Sequence, residues 1–159
     1  MSTSGTTAGE PAGDTDPASG AQLVYRTDLD GIAPAQLHGF FEGWPNPPTP
    51  QTHLRILRGS SAFVLAVDAA SGRVVGFVTA LSDGVLSAYL PLLEVLSAYR
   101  GRGIGRALVR RALAELGDLY MVDVTCDPDI VPFYRALGLR PATAASLRRG
   151  ELQAGVSGG

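Results

Sequence analysis

The chain has no lysine; all 13 of its basic residues are arginine. It therefore offers no lysine side chain for modification. It has one cysteine, Cys126, so an internal disulfide and a cysteine-built metal framework are both excluded. No apolar run approaches the ~18–20 residues needed to span a bilayer. The N-terminus has neither the charged region nor the apolar stretch of a secretory signal, and a cytoplasmic location is the expectation. Basic charge is not in excess either: the net charge is −2 and the pI about 5.6. Nucleic-acid binding domains are usually basic, so neither nucleic acid nor membrane is expected as a partner.

What remains is one domain's worth of chain. Of 159 residues, 45% are hydrophobic, enough for a single core. Residues 1–20 are Ser, Thr, Gly, Ala, Pro and acid, and read as a disordered tail. Residues 150–159 read as a flexible C-terminus, which leaves a folded domain over 21–149. Inside it, "AQLVYRT" alternates as a strand. Asp30 is placed to cap a helix over Ile32–Glu42. Four prolines between Pro45 and Pro50 then force an extended loop before a short helix over Pro50–Arg58. "AFVLAVD" and "VVGFVTAL" read as a hairpin, and Asp83-Gly84 as the next turn. In "VLSAYLPLLEVL", Pro91 lacks an N–H, which marks an edge position or a bulge. Gly103–Leu116 reads as a helix with Ile104, Leu108, Ala112, Leu113 and Leu116 on one face. "LYMVDVTC" reads as a buried strand. Asp127-Pro128 reads as the capped start of a last helix ending at Gly138, with one short strand near 143–148. The order β-αα-βββ-α-β-α implies a mixed α/β sheet.

One junction stands out. Arg100-Gly101-Arg102-Gly103-Ile104-Gly105-Arg106 separates an apolar strand from a helix. A helix N-terminus presents unpaired N–H groups and partial positive charge. Glycines let a ligand approach the backbone closely, and arginines add charge-assisted contacts. The combination suits a phosphate or pyrophosphate. It is not a Walker loop, which needs lysine. Nor is it a dinucleotide fingerprint: counting from Gly101, the third glycine position holds Arg106.

Set between "LLEVLSAY" and a helix, this junction resembles the acyl-CoA pyrophosphate loop of the GNAT superfamily of N-acetyltransferases. That family's pattern, Arg/Gln-x-x-Gly-x-Gly/Ala, is matched by Arg100, Gly103 and Gly105. "VPFYRALGLRP", Val131 to Pro141, is similar to the family's Phe-Tyr-x-x-x-Gly-Phe segment. Leu139 departs from its final aromatic, Asp127 replaces a frequent Asn, and the closing pair of strands is cut to one at most. The resemblance implies a mostly antiparallel sheet flanked by helices. It also implies acetyl transfer from acetyl-CoA, as co-substrate and without a metal, to a primary amine by direct attack. It implies a site of Leu93, Val95, Leu96, Arg100, Gly101, Arg102, Gly103, Ile104, Gly105 and Arg106 around the acyl-CoA. Backbone N–H groups at Leu93 to Val95 would meet the oxyanion, and Tyr134 would be both a contact and the general acid.

Glu94 is the leading candidate base; an equal reading turns its side chain to the far face of the sheet. His53, Asp83 and Asp127 are weaker base candidates, and His38 and Cys126 read as structural. The acceptor would meet Phe40–His53, where Trp44, Glu42 and Asn46 stand out. A homodimer is open on the same resemblance. The alternative function is a non-catalytic acyl-CoA-binding or nucleotide-binding module.

Overall fold

Turn chemistry sets the sheet. The computed structural model describes residues 22–156; the expected tail lies outside them. Strands β1 (Leu23–Arg26), β2 (Ala62–Asp68), β3 (Val74–Ser82), β4 (Ser87–Val95) and β5 (Met121–Asp123) lie side by side in chain order. The first four pair antiparallel and β5 runs parallel to β4. The β2–β3 turn is held by Asp68, whose Oδ1 accepts from the Ala70 N–H. The β3–β4 turn is held by Asp83, which accepts from the N–H groups of Val85, Leu86 and Ser87 and from the Ser87 hydroxyl. These donors hold the Asp83 carboxyl far below the usual carboxylate range.

Helix α1 (Pro50–Gly59) begins at Thr49, whose side chain accepts from the Thr52 N–H, with Pro50 in the first turn. Parallel neighbours need a crossover, and helix α2 (Ile104–Leu116) supplies it between β4 and β5. It packs on one face of β2, β3 and β4. Gly76 of β3 permits this approach: a Cβ there would lie 3.1 Å from Leu108 and 3.3 Å from Ile104. On the other face, Phe77 meets Phe40, Phe41 and His53. The mixed, mostly antiparallel sheet flanked by helices is the architecture that the motifs imply. Among the described residues, no helix is long and apolar enough to cross a membrane.

Several local expectations need correction. The helix over Ile32–Glu42 is a 3-10 turn, Pro34–Leu37. Extended backbone at His38 ends it and left-handed backbone at Gly39 and Phe41 prevents its resumption, although Leu37, Phe40 and Phe41 are buried as their apolar character requires. Asp30 is not its cap: the turn starts at Ala33, whose N–H donates to Gln36 Oε1. The buried strand "LYMVDVTC" reduces to β5, three residues and partly exposed, because only β4 flanks it. The last helix is α3 (Val131–Arg135), preceded by a 3-10 turn over Pro128–Ile130, and Asp127 makes no side-chain cap. Gly138 does terminate that segment, with φ +93° and with the Leu139 N–H donating to the Tyr134 carbonyl. No strand forms near 143–148. Residues 150–156 lie against α1 and the loop before it: the Asn46 N–H donates to Gln153 Oε1 and Arg55 donates to the Val156 carbonyl.

Candidate active site

Pro91 opens the sheet. Opposite Ala80, β4 carries an irregularity: Thr79 pairs with Leu92 while Leu81 pairs with Tyr89, which leaves Leu90 and Pro91 to bulge. Pairing between β4 and β5 stops at Tyr89–Asp123. Beyond it the two strands diverge around a cleft of about 640 Å³. Both readings of Pro91, bulge and unpaired edge, are therefore realised together.

Strand alternation decides which groups face the cleft. The Leu96 N–H donates to Val75 on β3. Backbone groups alternate sides along a strand, so the N–H groups of Leu93 and Val95 point away from β3, toward the opening. The Val95 carbonyl, on that same side, accepts from Arg100 Nε at 2.9 Å. Side chains alternate as well. Val95, paired with Gly76, lies on the α2 face; Glu94, paired with Phe77, lies on the α1 face. The opening thus communicates with both faces of the sheet.

On the α2 face, the glycine loop rises from β4 into α2. Gly101 and Gly103 have φ of +77° and +78°, and an added Cβ at either would meet nothing within 4 Å. They serve the turn itself and leave open space over it. The first helical bond runs from the Ala107 N–H to the Gly103 carbonyl. The N–H groups of Ile104, Gly105 and Arg106 are therefore the unpaired ends of α2. A Cβ added at Gly105 would lie 3.7 Å from Phe133 and 3.9 Å from Val95, where the helix start meets the cleft. Arg102 lies over the Tyr99 ring, and Arg106 is exposed.

Tyr134 closes the cleft from α3. It is 7% exposed and packs edge-on against Phe133. Burial, then the nearby Cys126 and Tyr89, push its hydroxyl up to about 12. Cys126 is half-buried and lies between this cleft and a second cavity of about 610 Å³ beyond β5.

On the α1 face, Glu94 reaches a turn more than fifty residues earlier in the chain. Its Oε2 accepts from the Phe41 N–H at 2.8 Å and its Oε1 from the Glu42 N–H at 3.3 Å. Phe41 has φ +62°, a conformation costly for a side chain of this size. Glu42 in turn pairs with Arg100 at 3.2 Å. Trp44 stands edge-on to Phe41 and is 39% exposed.

Of the expected site, Leu93, Glu94, Val95, Arg100, Gly105 and Tyr134 line the cleft. Gly101, Arg102, Gly103 and Arg106 lie just outside it at the start of α2. Leu96 and Ile104 have their side chains in the core. Glu42, Trp44 and Asp127 line the cleft; Asp83 does not, being tied into its hairpin. His53 is not a cleft base either. It is fully buried between Phe40, Phe41 and Phe77, and burial lowers it to about 4. His38 is exposed, and its carbonyl accepts from Arg73. Ile130, Phe133 and Phe77 line the cleft unanticipated. Ile130 stands four residues before Tyr134, a helical spacing that could have pointed to it. Among the described residues, no cluster of His, Cys, Asp and Glu could hold a metal ion.

Known proteins share this fold. Residues 29–139 match the model of the acetyltransferase (GNAT) family. A Deinococcus radiodurans R1 protein, solved as a candidate acetyltransferase, is 57% identical with a TM-score of 0.84, covering 86% of this chain and 94% of that one. A GNAT family protein from Streptococcus pneumoniae TIGR4 is 25% identical with a TM-score of 0.62, covering 80% and 99%. The chloroplastic serotonin N-acetyltransferase 2 of Oryza sativa subsp. japonica is 31% identical over 121 residues. That match covers 73% of this chain but only 60% of the rice protein. The chain thus spans less than two thirds of the curated relatives it matches.

Proposed function

The chain belongs to the GNAT acetyltransferase family, and from that premise we propose that it transfers an acetyl group from acetyl-CoA to a primary amine. The observation that carries this reading is the opening between β4 and β5, with the open glycine loop at its end. The residues fit a phosphate-bearing donor: left-handed glycines with free space above them, three unpaired N–H groups of α2, and exposed Arg102 and Arg106. The co-substrate supplies a thioester, an activated acyl group that needs no metal to react with an amine.

The residues then have separate tasks. The Leu93 and Val95 N–H groups, free of β3, are fixed donors for negative charge developing on the acyl oxygen. The neutral amine forms the new C–N bond as the C–S bond breaks; the amine loses one proton to water and the sulfur gains one. Tyr134 keeps its hydroxyl protonated throughout the neutral range and donates it toward the departing sulfur. A thiol titrates near ~8.5, so complete transfer from a phenol at about 12 runs uphill. The hydrogen bond to sulfur is the assistance Tyr134 gives, with the final proton drawn from water. Glu94, with both oxygens engaged by backbone N–H groups, holds the acceptor-side turn in place.

The test is thermal unfolding with acetyl-CoA, ADP and NAD, followed by amine-dependent release of CoA thiol. A ligand at 100 times its dissociation constant adds ~2.7 kcal/mol, roughly 5–10 °C for a domain of this size. The expected result is a shift with acetyl-CoA well above that with ADP or NAD, and thiol release on adding amine. No shift with any ligand would remove the loop assignment. A shift without amine-dependent release would leave a non-catalytic binding module.

A further inference from the structure

The α1-face wall of the cleft is selective in its chemistry. We propose that the acceptor is a compact amine carrying a single positive charge on an aromatic or branched apolar body; this rests on the transfer reading above. The wall presents Trp44 and Leu92, with the buried Phe41 and Phe77 rings behind them. Trp44 is held edge-on to Phe41, ring centroids 5.2 Å apart, while 39% of it remains in water. A half-exposed indole anchored on one side by another ring is a surface for a flat or branched apolar group. Its π face also attracts a nearby ammonium.

The two carboxylates on this wall are not equally available. Each oxygen of Glu94 already accepts from a backbone N–H, of Phe41 or Glu42, which fixes its position behind the wall. Glu42 is 58% exposed in its side chain, and one of its oxygens is shared with Arg100. Asp127 lies across the opening, where β5 leads into α3. A polycation needs several free carboxylates spread over one surface; on this wall only Glu42 is exposed, and Arg100 partly uses it. An ammonium beside Glu42 with its body on Trp44 matches what is present.

The wall is also preformed. Gly39 and Gly43 take φ of +89° and +80° around the strained Phe41, and prolines at 45, 47 and 48 stiffen the chain that follows. Gln153, accepting from the Asn46 N–H, ties the C-terminal segment against it. A fixed wall of this kind discriminates by shape as well as charge.

The experiment measures CoA thiol release at saturating acetyl-CoA with 2-phenylethylamine, isoamylamine, spermidine and kanamycin. The first two should exceed the last two by about ten-fold or more in kcat/KM. Trp44→Ala should raise KM for 2-phenylethylamine about ten-fold while the melting shift with acetyl-CoA stays unchanged, and Trp44→Phe should restore most of the loss. Glu42→Gln should raise KM for both monoamines. Spermidine or kanamycin ahead of the monoamines, or a Trp44→Ala enzyme with unaltered KM, would overturn the assignment. Release with none of the four, while acetyl-CoA still raises the melting temperature, would overturn the transfer reading and this assignment with it.

Discussion

Tyr134 and His53 are both buried, and both are shifted by burial, in opposite senses for opposite reasons. A phenol loses a proton to become charged, so burial raises it to about 12; an imidazole gains one, so burial lowers it to about 4. Tyr134→Phe should lower kcat ten-fold or more and leave the acetyl-CoA melting shift intact. In the native enzyme, a kcat profile from pH 7 to 10 should show no alkaline decline attributable to this group. An unchanged kcat in the Phe variant would end its role. His53 has no partner for either ring nitrogen among the described residues. Unfolded, it takes up a proton below about pH 6.5; folded, only near 4. The unfolded state therefore holds more protons in between, and stability falls as pH drops through that window. The loss reaches ~3 kcal/mol at ~1.36 kcal/mol per pH unit. His53→Phe should flatten that slope, as urea unfolding at pH 7 and pH 5 would reveal; equal slopes in both proteins would refute it. Glu94→Gln keeps one accepting oxygen but turns an amide N–H₂ toward the other of the two backbone N–H donors. It should cost ~1–3 kcal/mol and raise KM for amine more than it lowers kcat. A fall in kcat alone, with loss of the acid limb of the pH profile, would instead return Glu94 to the role of base.

At the scale of the element, the sequence was most legible where a local signal had no competitor. The hairpins follow from Asp68 and Asp83, the start of α1 from Thr49-Pro50, and the glycine loop and α2 from three glycines and a clean apolar face. The opening beside Pro91 was readable too, because a residue without an N–H cannot extend a ladder in both directions. Legibility failed where partners decide. Apolar periodicity over residues 32–42 suits a helix, but Gly39, Phe41 and Gly43 adopt positive φ to carry the chain to Glu94, a partner supplied by another strand. "LYMVDVTC" has a strand's composition, yet a strand extends only as far as its neighbour runs beside it. Glu94 could be placed in the cleft by position, but not its commitment to two N–H groups, which depends on tertiary contact alone. Gly76 belongs at this scale as well. Its missing side chain lets α2 approach the sheet, so Gly76→Val should destabilise by ~1–3 kcal/mol and disturb the β4 groups next to it. A urea midpoint equal to the native value would contradict that packing.

For the whole molecule, the C-terminal segment links parts far apart in sequence. Residues 150–156 fasten to Asn46, in the loop that follows the wall, and to Arg55 of α1. Deleting residues 150–159 should raise KM for amine several-fold and leave the acetyl-CoA melting shift as it was. A truncated chain with native KM would show that the segment does not support the wall.

The divergence of β4 from β5 has a further consequence. A pocket cut into one face of a sheet has a single mouth, and whatever enters last must leave first. A slot that pierces the sheet has two doors. A long ligand can thread from the α2 side while a short one arrives from the α1 side, and neither blocks the other's exit. Two products formed at the midpoint could then depart independently, with no need for the fold to open between turnovers.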